Sequence, residues 1–245
     1  EIFSGLQQGG IAILNRDNAQ FRILEDVAIS AGVEVVTFGA HEEAAFRLVS
    51  AETASDHSLV RADLNGAELT YKLRLPGYHW IQNSLAVLAT VYSVGADVFD
   101  AAQAFTKIKP LKGRGLKYTV RSSSYAFKLI DDSYNANPAS IKASLAVLSQ
   151  LRVPNIGRCI AVLGDMLELG NESEPLHVGL VEEIIRNGVD LVYAAGPRMR
   201  DMFDQLPPAK RAFWSETSEG LIAVLVPELR QDDIILVKGS LGMRM

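Results

Sequence analysis

Short apolar runs recur along the chain, separated by stretches whose apolar positions return every three or four residues. The first run, Gly10–Leu14 (Gly-Ile-Ala-Ile-Leu), predicts a buried strand, and polar Asn15–Asn18 closes it. A helix is predicted from Ala19 to Ala31, with Phe21, Leu24, Val27 and Ala28 on one face; Gly32 ends it and Val33–Phe38 reads as a second strand. Leu59–Leu64 and Glu68–Leu73 alternate around Asn65-Gly66, a turn pair that accepts positive φ, and so predict a hairpin. After the Pro76-Gly77 break a helix runs from His79 to Val94, and Asp97 caps another through Thr106.

Beyond Lys109–Gly115, a short basic loop rich in turn formers, the pattern becomes regular. Strands are predicted at Lys117–Arg121, Phe127–Asp131, Cys159–Leu163, Leu191–Ala194, Arg211–Trp214 and Ile234–Val237. Helices are predicted at Ala139–Gln150, Leu176–Asn187, Pro197–Gln205 and Glu219–Leu225. Continuous apolar strands alternating with helices argue for an α/β fold: an open, mainly parallel, Rossmann-like sheet wrapped by helices. The loop divides the chain into residues 1–112 and 113–245. In such sheets ligands gather at the carboxyl ends of the strands.

Composition narrows the function classes. At 48% hydrophobic and 22% charged, the 245 residues suit a globular protein rather than a disordered one. A formal net charge of −5 lacks the basic excess of a general nucleic-acid binder, so no nucleic-acid partner is expected. The apolar runs fall short of the roughly 18–20 residues of a membrane helix, so no membrane insertion is expected. Glu1–Gly5 has no basic n-region of a secretory signal. The single Cys159 cannot form an internal disulfide, which favours a reducing compartment, and it reads as a small core residue beside Ile160 and Val162. The chain opens without Met and closes just after an apolar strand, so we expect an internal piece of a longer protein.

The candidate chemistry sits where apolar runs end. Leu129–Pro138 (Leu-Ile-Asp-Asp-Ser-Tyr-Asn-Ala-Asn-Pro) carries two adjacent carboxylates at a strand end, then Asn137 as N-cap and Pro138 in the first helical turn. Asp131-Asp132 repel and cost solvation unless they face a ligand, a cation or water, and such a carboxylate can accept hydrogen bonds from ribose hydroxyls. Gly164-Asp165-Met166 and Lys238-Gly239-Ser240 each follow an apolar strand, and Lys238 places a cation on the same sheet edge as Asp132. Taken singly, each is an ordinary turn or surface lysine; together they form one polar rim. In Leu75–Asn83, His79 and Asn83 lie four apart at a helix start, on one face, where free N–H groups suit anions. His41, His57 and His177 are scattered without metal-ligand spacing, so no zinc site is expected.

Asp-Asp-Ser-Tyr-Asn-Ala-Asn-Pro (131–138), Val-Leu-Gly-Asp-Met-Leu-Glu-Leu-Gly (162–170) with His177 shortly after, and Leu-Val-Lys-Gly-Ser (236–240) with Met-Arg-Met following resemble, in this order, the C-terminal region of the Mur ligases. Gly10–Asn18, Leu75–Ala89 and Gly113-Arg114-Gly115 resemble the central domain of the same family. The resemblance implies the second half of a central α/β ATPase domain followed by most of a C-terminal ligase domain. It implies a cytoplasmic bacterial enzyme of peptidoglycan precursor synthesis, a monomer, that uses ATP and Mg2+ to join D-alanyl-D-alanine to UDP-N-acetylmuramoyl-tripeptide through an acyl phosphate. By position it assigns Asn83 to adenine, Asp132 to the ribose, and Arg114 and His79 to the nucleotide. Tyr134, Asn135, Asn137, Lys238 and Ser240 fall to the peptide substrate side.

The chain also departs from the family. It has no Gly-Lys-Thr phosphate loop, Trp80 stands where relatives often have Asn, and Leu241 where they often have Arg or Asn. The metal ligands are expected upstream, and residues 1–245 alone are expected to be inactive. Asp132→Ala is expected to weaken nucleotide binding at little cost to stability, with Asp131→Ala as its control. Other readings remain: a sister Mur ligase or folylpolyglutamate-type ligase, a non-catalytic nucleotide-binding module, or an oxidoreductase, although no Gly-x-Gly-x-x-Gly follows a strand.

Overall fold

The computed structural model describes residues 3, 5–7, 9–54, 56–109 and 111–245. Most of Glu1–Gly5, and Pro110 of the basic loop, lie outside the described residues. The chain forms two compact units, Glu1–Lys109 and Pro110–Met245.

The first unit is a five-stranded sheet in sequence order: β1 (Ile11–Asn15), β2 (Glu34–Gly39), β3 (Phe46–Thr53), β4 (Ser58–Leu64) and β5 (Ala67–Leu73). β1, β2 and β3 run parallel, and β3, β4 and β5 antiparallel. The Asn65-Gly66 hairpin forms with φ of 55° and 92°, the left-handed pair its residues allow. Helix α1 (Phe21–Ser30) buries Phe21 and Ala28 with Ala12 and Leu14 of β1. Helix α2 (Tyr78–Ser93) covers the sheet with Ile81, Leu85, Leu88 and Ala89, one stripe at helical spacing packed on Phe46, Val60, Ala62 and Leu73. Asp97 caps α3 (Val98–Ala104) by accepting from the N–H groups of Phe99 and Asp100.

The second unit contains the expected open sheet. Its strands are β6 (Leu116–Arg121), β7 (Ala126–Asp132), β8 (Cys159–Gly164), β9 (Leu191–Ala195), β10 (Arg211–Ser215) and β11 (Ile234–Lys238). Their order is β10-β9-β8-β11-β7-β6, parallel throughout except for the edge pair β6–β7. Every residue of β8 is buried, the pattern of a central strand covered on both faces. One face packs α4 (Pro138–Gln150), α5 (Ser173–Val178), α6 (Leu180–Arg186) and α7 (Met199–Gln205) over Leu163, Val192 and Leu236. The other receives α8 (Glu219–Glu228) over Ile160, Tyr193 and Ile235. Cys159 is a fully buried free thiol, pushed up from its ordinary pKa by burial. Among the described residues no helix is long and apolar enough to cross a membrane.

Candidate functional site

Parallel pairing of β11 with β7 and β8 aligns Lys238 with Asp132 on one side and Leu163 on the other. Asp132, Gly164 and Lys238 therefore end three adjacent strands on one edge of the sheet. Lys238 Nζ donates to Asp132 Oδ2 at 2.6 Å and to the Asn135 carbonyl at 3.0 Å. Ser144 Oγ, on α4, donates to the same carboxylate oxygen at 2.5 Å. The Lys238 side chain is 4% exposed and that of Asp132 20%. Asp132 Oδ1 makes no hydrogen bond among the described residues and so keeps free acceptor capacity. The substrate role expected for Lys238 meets a plain obstacle: its ammonium is neutralised inside the fold. Removing Asp132 would strand that buried cation, so the expectation of little stability loss is replaced by a substantial one.

Asp131, expected as a control, is a brace. Its Oδ1 accepts from Ser133 Oγ at 2.6 Å and its Oδ2 from the Gly113 N–H at 3.0 Å. Gly115 N–H donates to the Asp131 carbonyl, and Tyr134 N–H to the Gly113 carbonyl. Gly113 has φ of +74°, and a Cβ there would approach Tyr134 Cβ to 3.0 Å, so the turn requires glycine. The braced turn presents Arg114, exposed, with its guanidinium 4.2 Å from the centre of the Tyr134 ring. No carboxylate pairs with Arg114 among the described residues, so its positive charge remains free for an anion.

The other expected residues divide. Asn137 Oδ1 accepts from the Ser140 N–H at 2.8 Å, and Ser140 Oγ accepts in turn from the Asn137 N–H, so the amide oxygen is committed to the capping box of α4. Asn135 Oδ1 accepts from the Ala136 N–H. Ser240 is buried: its Oγ accepts from the Leu167 N–H at 2.9 Å, and its N–H donates to the Asp165 carbonyl. Asp165 accepts from the N–H groups of Met199 and Arg198. Buried His177 accepts from the Met166 N–H through Nε2 and donates through Nδ1 to the Ser173 carbonyl. These contacts make the 164–167 loop a rigid wall of the rim. In the first unit Asn83 is exposed on the first turns of α2, and His79 lies half-buried, its ring centre 5.2 Å from that of Trp80.

Ser144 and the bracing role of Asp131 escaped the sequence reading. Ser144 had one usable signal, a hydroxyl on the face of α4 otherwise occupied by Ile141, Leu145 and Leu148. A depression of about 780 Å³ lies off the rim, by the start of β9 and the residue before β8, lined in part by Arg158, Tyr193, Lys210 and Arg230. Its Arg158 is held by buried Asp233, which raises the guanidinium pKa further, so this cation serves the fold. Among the described residues no group of three or more His, Cys, Asp or Glu side chains could hold a metal ion.

Residues 1–91 match the Mur ligase middle domain, and residues 118–241 match the Mur ligase, glutamate ligase domain. The UDP-N-acetylmuramoyl-tripeptide–D-alanyl-D-alanine ligase of Rickettsia prowazekii is 28% identical over 100% of this chain and 53% of its own length. The Escherichia coli protein of the same name is 33% identical over 80% of this chain and 42% of its own. The chain thus spans about half the length of the curated relatives it matches. Among solved structures, MurF from Acinetobacter baumannii superposes with a TM-score of 0.81 at 23% identity, covering 100% of this chain and 51% of that one. MurF from Thermotoga maritima in complex with ADP gives 0.73 at 24% identity over 97% and 52%. At these identities the structures establish a shared fold.

Proposed function

Because the chain belongs to the Mur ligase family, we propose that its protein uses ATP to join D-alanyl-D-alanine to UDP-N-acetylmuramoyl-tripeptide in the bacterial cytoplasm. Residues 1–112 then form the second half of the ATP-binding domain and residues 113–245 the ligase domain. ATP phosphorylates the free carboxylate of the tripeptide. The amine of the dipeptide attacks the acyl phosphate, and the tetrahedral intermediate expels phosphate. Catalysis of this kind rests on positioning and on cations near developing negative charge.

The observation that supports the reading most is the polar rim at the carboxyl edge of the second sheet, in a chain aligned along its whole length with a ligase of this name. Asp132 Oδ1 is the acceptor for a ribose hydroxyl, its carboxylate fixed by Lys238 and Ser144. Arg114, steadied on Tyr134, meets the anionic part of the nucleotide or acyl phosphate. Asn83 reads adenine by paired hydrogen bonds, the geometry an amide offers that base. The described residues include no group of three or more His, Cys, Asp or Glu that could hold Mg2+.

The test is product formation by the full-length protein, followed by mass spectrometry. UDP-N-acetylmuramoyl-tripeptide, ATP and D-alanyl-D-alanine should give the pentapeptide product and ADP. Ligation of glutamate to folate, or of a diamino acid to the dipeptide precursor, with no pentapeptide, would transfer the protein to a sister activity.

A further inference from the structure

The start of α2 is tied to the loops after β1 and β2 by one carboxylate. Asp17, two residues past β1, accepts from the Ala40 N–H at 2.7 Å and the His41 N–H at 2.9 Å. Its Oδ2 also accepts from Gln82 Nε2 at 2.9 Å. Gly39 has φ of +145°, and a Cβ there would fall 2.7 Å from Asp17 Oδ1, so glycine is what lets the carboxylate seat. Gln82 Nε2 donates in addition to Tyr78 Oη at 2.8 Å, one turn back.

Gln82 is 8% exposed, and its carbonyl oxygen is buried with no hydrogen-bond partner among the described residues. Leaving such a group unsatisfied typically costs about 1–3 kcal/mol. The neighbouring stripe of Ile81, Leu85, Leu88 and Ala89 is apolar, and a methionine at 82 would escape that cost while giving up the bonds to Asp17 and Tyr78. The amide thus makes two donated bonds at the expense of one orphaned acceptor, and local costs of this sort collect where function is served.

We propose that Asp17 and Gln82 are positioning residues for the nucleotide base: the Asp17–Gln82–Tyr78 chain fixes the first turns of α2 and thereby the direction in which Asn83 presents its amide. The inference rests on the reading of Asn83 as the adenine contact. It assigns no contact with the nucleotide to Asp17 or Gln82 themselves.

Steady-state kinetics of the full-length protein test it, with Gln82→Met, Asp17→Asn and Asn83→Ala. Gln82→Met should raise KM for ATP about five- to tenfold, with kcat and the KM values of both peptide substrates within about twofold of wild type. Its Tm should stay close to that of wild type, since the orphaned carbonyl is removed together with the bonds to Asp17 and Tyr78. Asp17→Asn should shift KM for ATP in the same direction and lower Tm. An unchanged KM for ATP in Gln82→Met, while Asn83→Ala raises it, overturns the positioning role and leaves the adenine reading standing. A fall in kcat and Tm with the KM values of ATP and both peptide substrates raised alike makes the tether merely structural and also overturns it. An unchanged KM in Asn83→Ala removes the adenine reading and this inference with it.

Discussion

Cutting the Lys238–Asp132 pair from either side should give unequal losses. The ammonium and carboxylate lie 2.6 Å apart with side chains 4% and 20% exposed. Removing one partner of a buried pair costs about 3–5 kcal/mol because the survivor keeps its charge without compensation. Lys238→Met leaves a carboxylate that still meets water and the Ser144 hydroxyl, which places its cost at or just below the low end, about 2–3 kcal/mol. Asp132→Ala leaves a nearly inaccessible ammonium with only the Asn135 carbonyl, so its cost is larger, about 4 kcal/mol. The double variant removes both charges and should cost less than the sum of the singles by about 2 kcal/mol. Urea unfolding in a Trp80→Phe background, followed by the fluorescence of Trp214, reports the second unit alone, since Trp214 lies in β10. Additivity within about 0.5 kcal/mol, or a larger loss from Lys238→Met than from Asp132→Ala, would refute the coupled-pair reasoning.

Three further outcomes follow from the same geometry. Asn137→Ala should lower stability by about 1 kcal/mol through loss of the α4 cap; a KM for the peptide substrate raised more than about tenfold at unchanged stability would assign the amide to substrate instead. Cys159, fully buried and with its pKa raised by desolvation, should resist an aromatic disulfide reagent in the native protein and react only on unfolding; fast native labelling would contradict the packing. Residues 1–245 alone, which contain no Gly-Lys-Thr phosphate loop, should release no phosphate from ATP in the presence of Mg2+ and both peptide substrates. Release above background would place the phosphate-handling groups within the chain.

What the sequence made legible follows from where burial and turn chemistry act alone. β8 reads directly as an apolar run because both of its faces are covered. The β4–β5 hairpin reads from Asn65-Gly66 because few other residue pairs accept those φ values. β3 went unread because only Phe46 at its start is buried, and the rest of the strand is partly or fully exposed. The helix expected at Leu176–Asn187 begins earlier, at Ser173, and is interrupted at Gly179. For the site, the ends of apolar runs located Asp132, Gly164 and Lys238 on one edge. The charge pair itself was not legible, since it joins residues 106 apart through the adjacency of β7 and β11, which only the crossover order decides. The bonds from Gly113 to Asp131 and from Ser144 to Asp132 depend on the same tertiary closure.

Arg114 offers the most direct measurement on the central claim that the carboxyl-edge rim is where the reaction occurs. Its guanidinium is exposed, stacks on Tyr134 and has no carboxylate partner among the described residues, so its loss should hardly disturb the fold. In the full-length protein, Arg114→Ala should keep the wild-type Tm and lose turnover per unit ATP by about ten- to a hundredfold, the loss of one charge-assisted hydrogen bond of about 1.5–3 kcal/mol. Wild-type kinetics at saturating and limiting ATP, with Tm unchanged, would contradict the account.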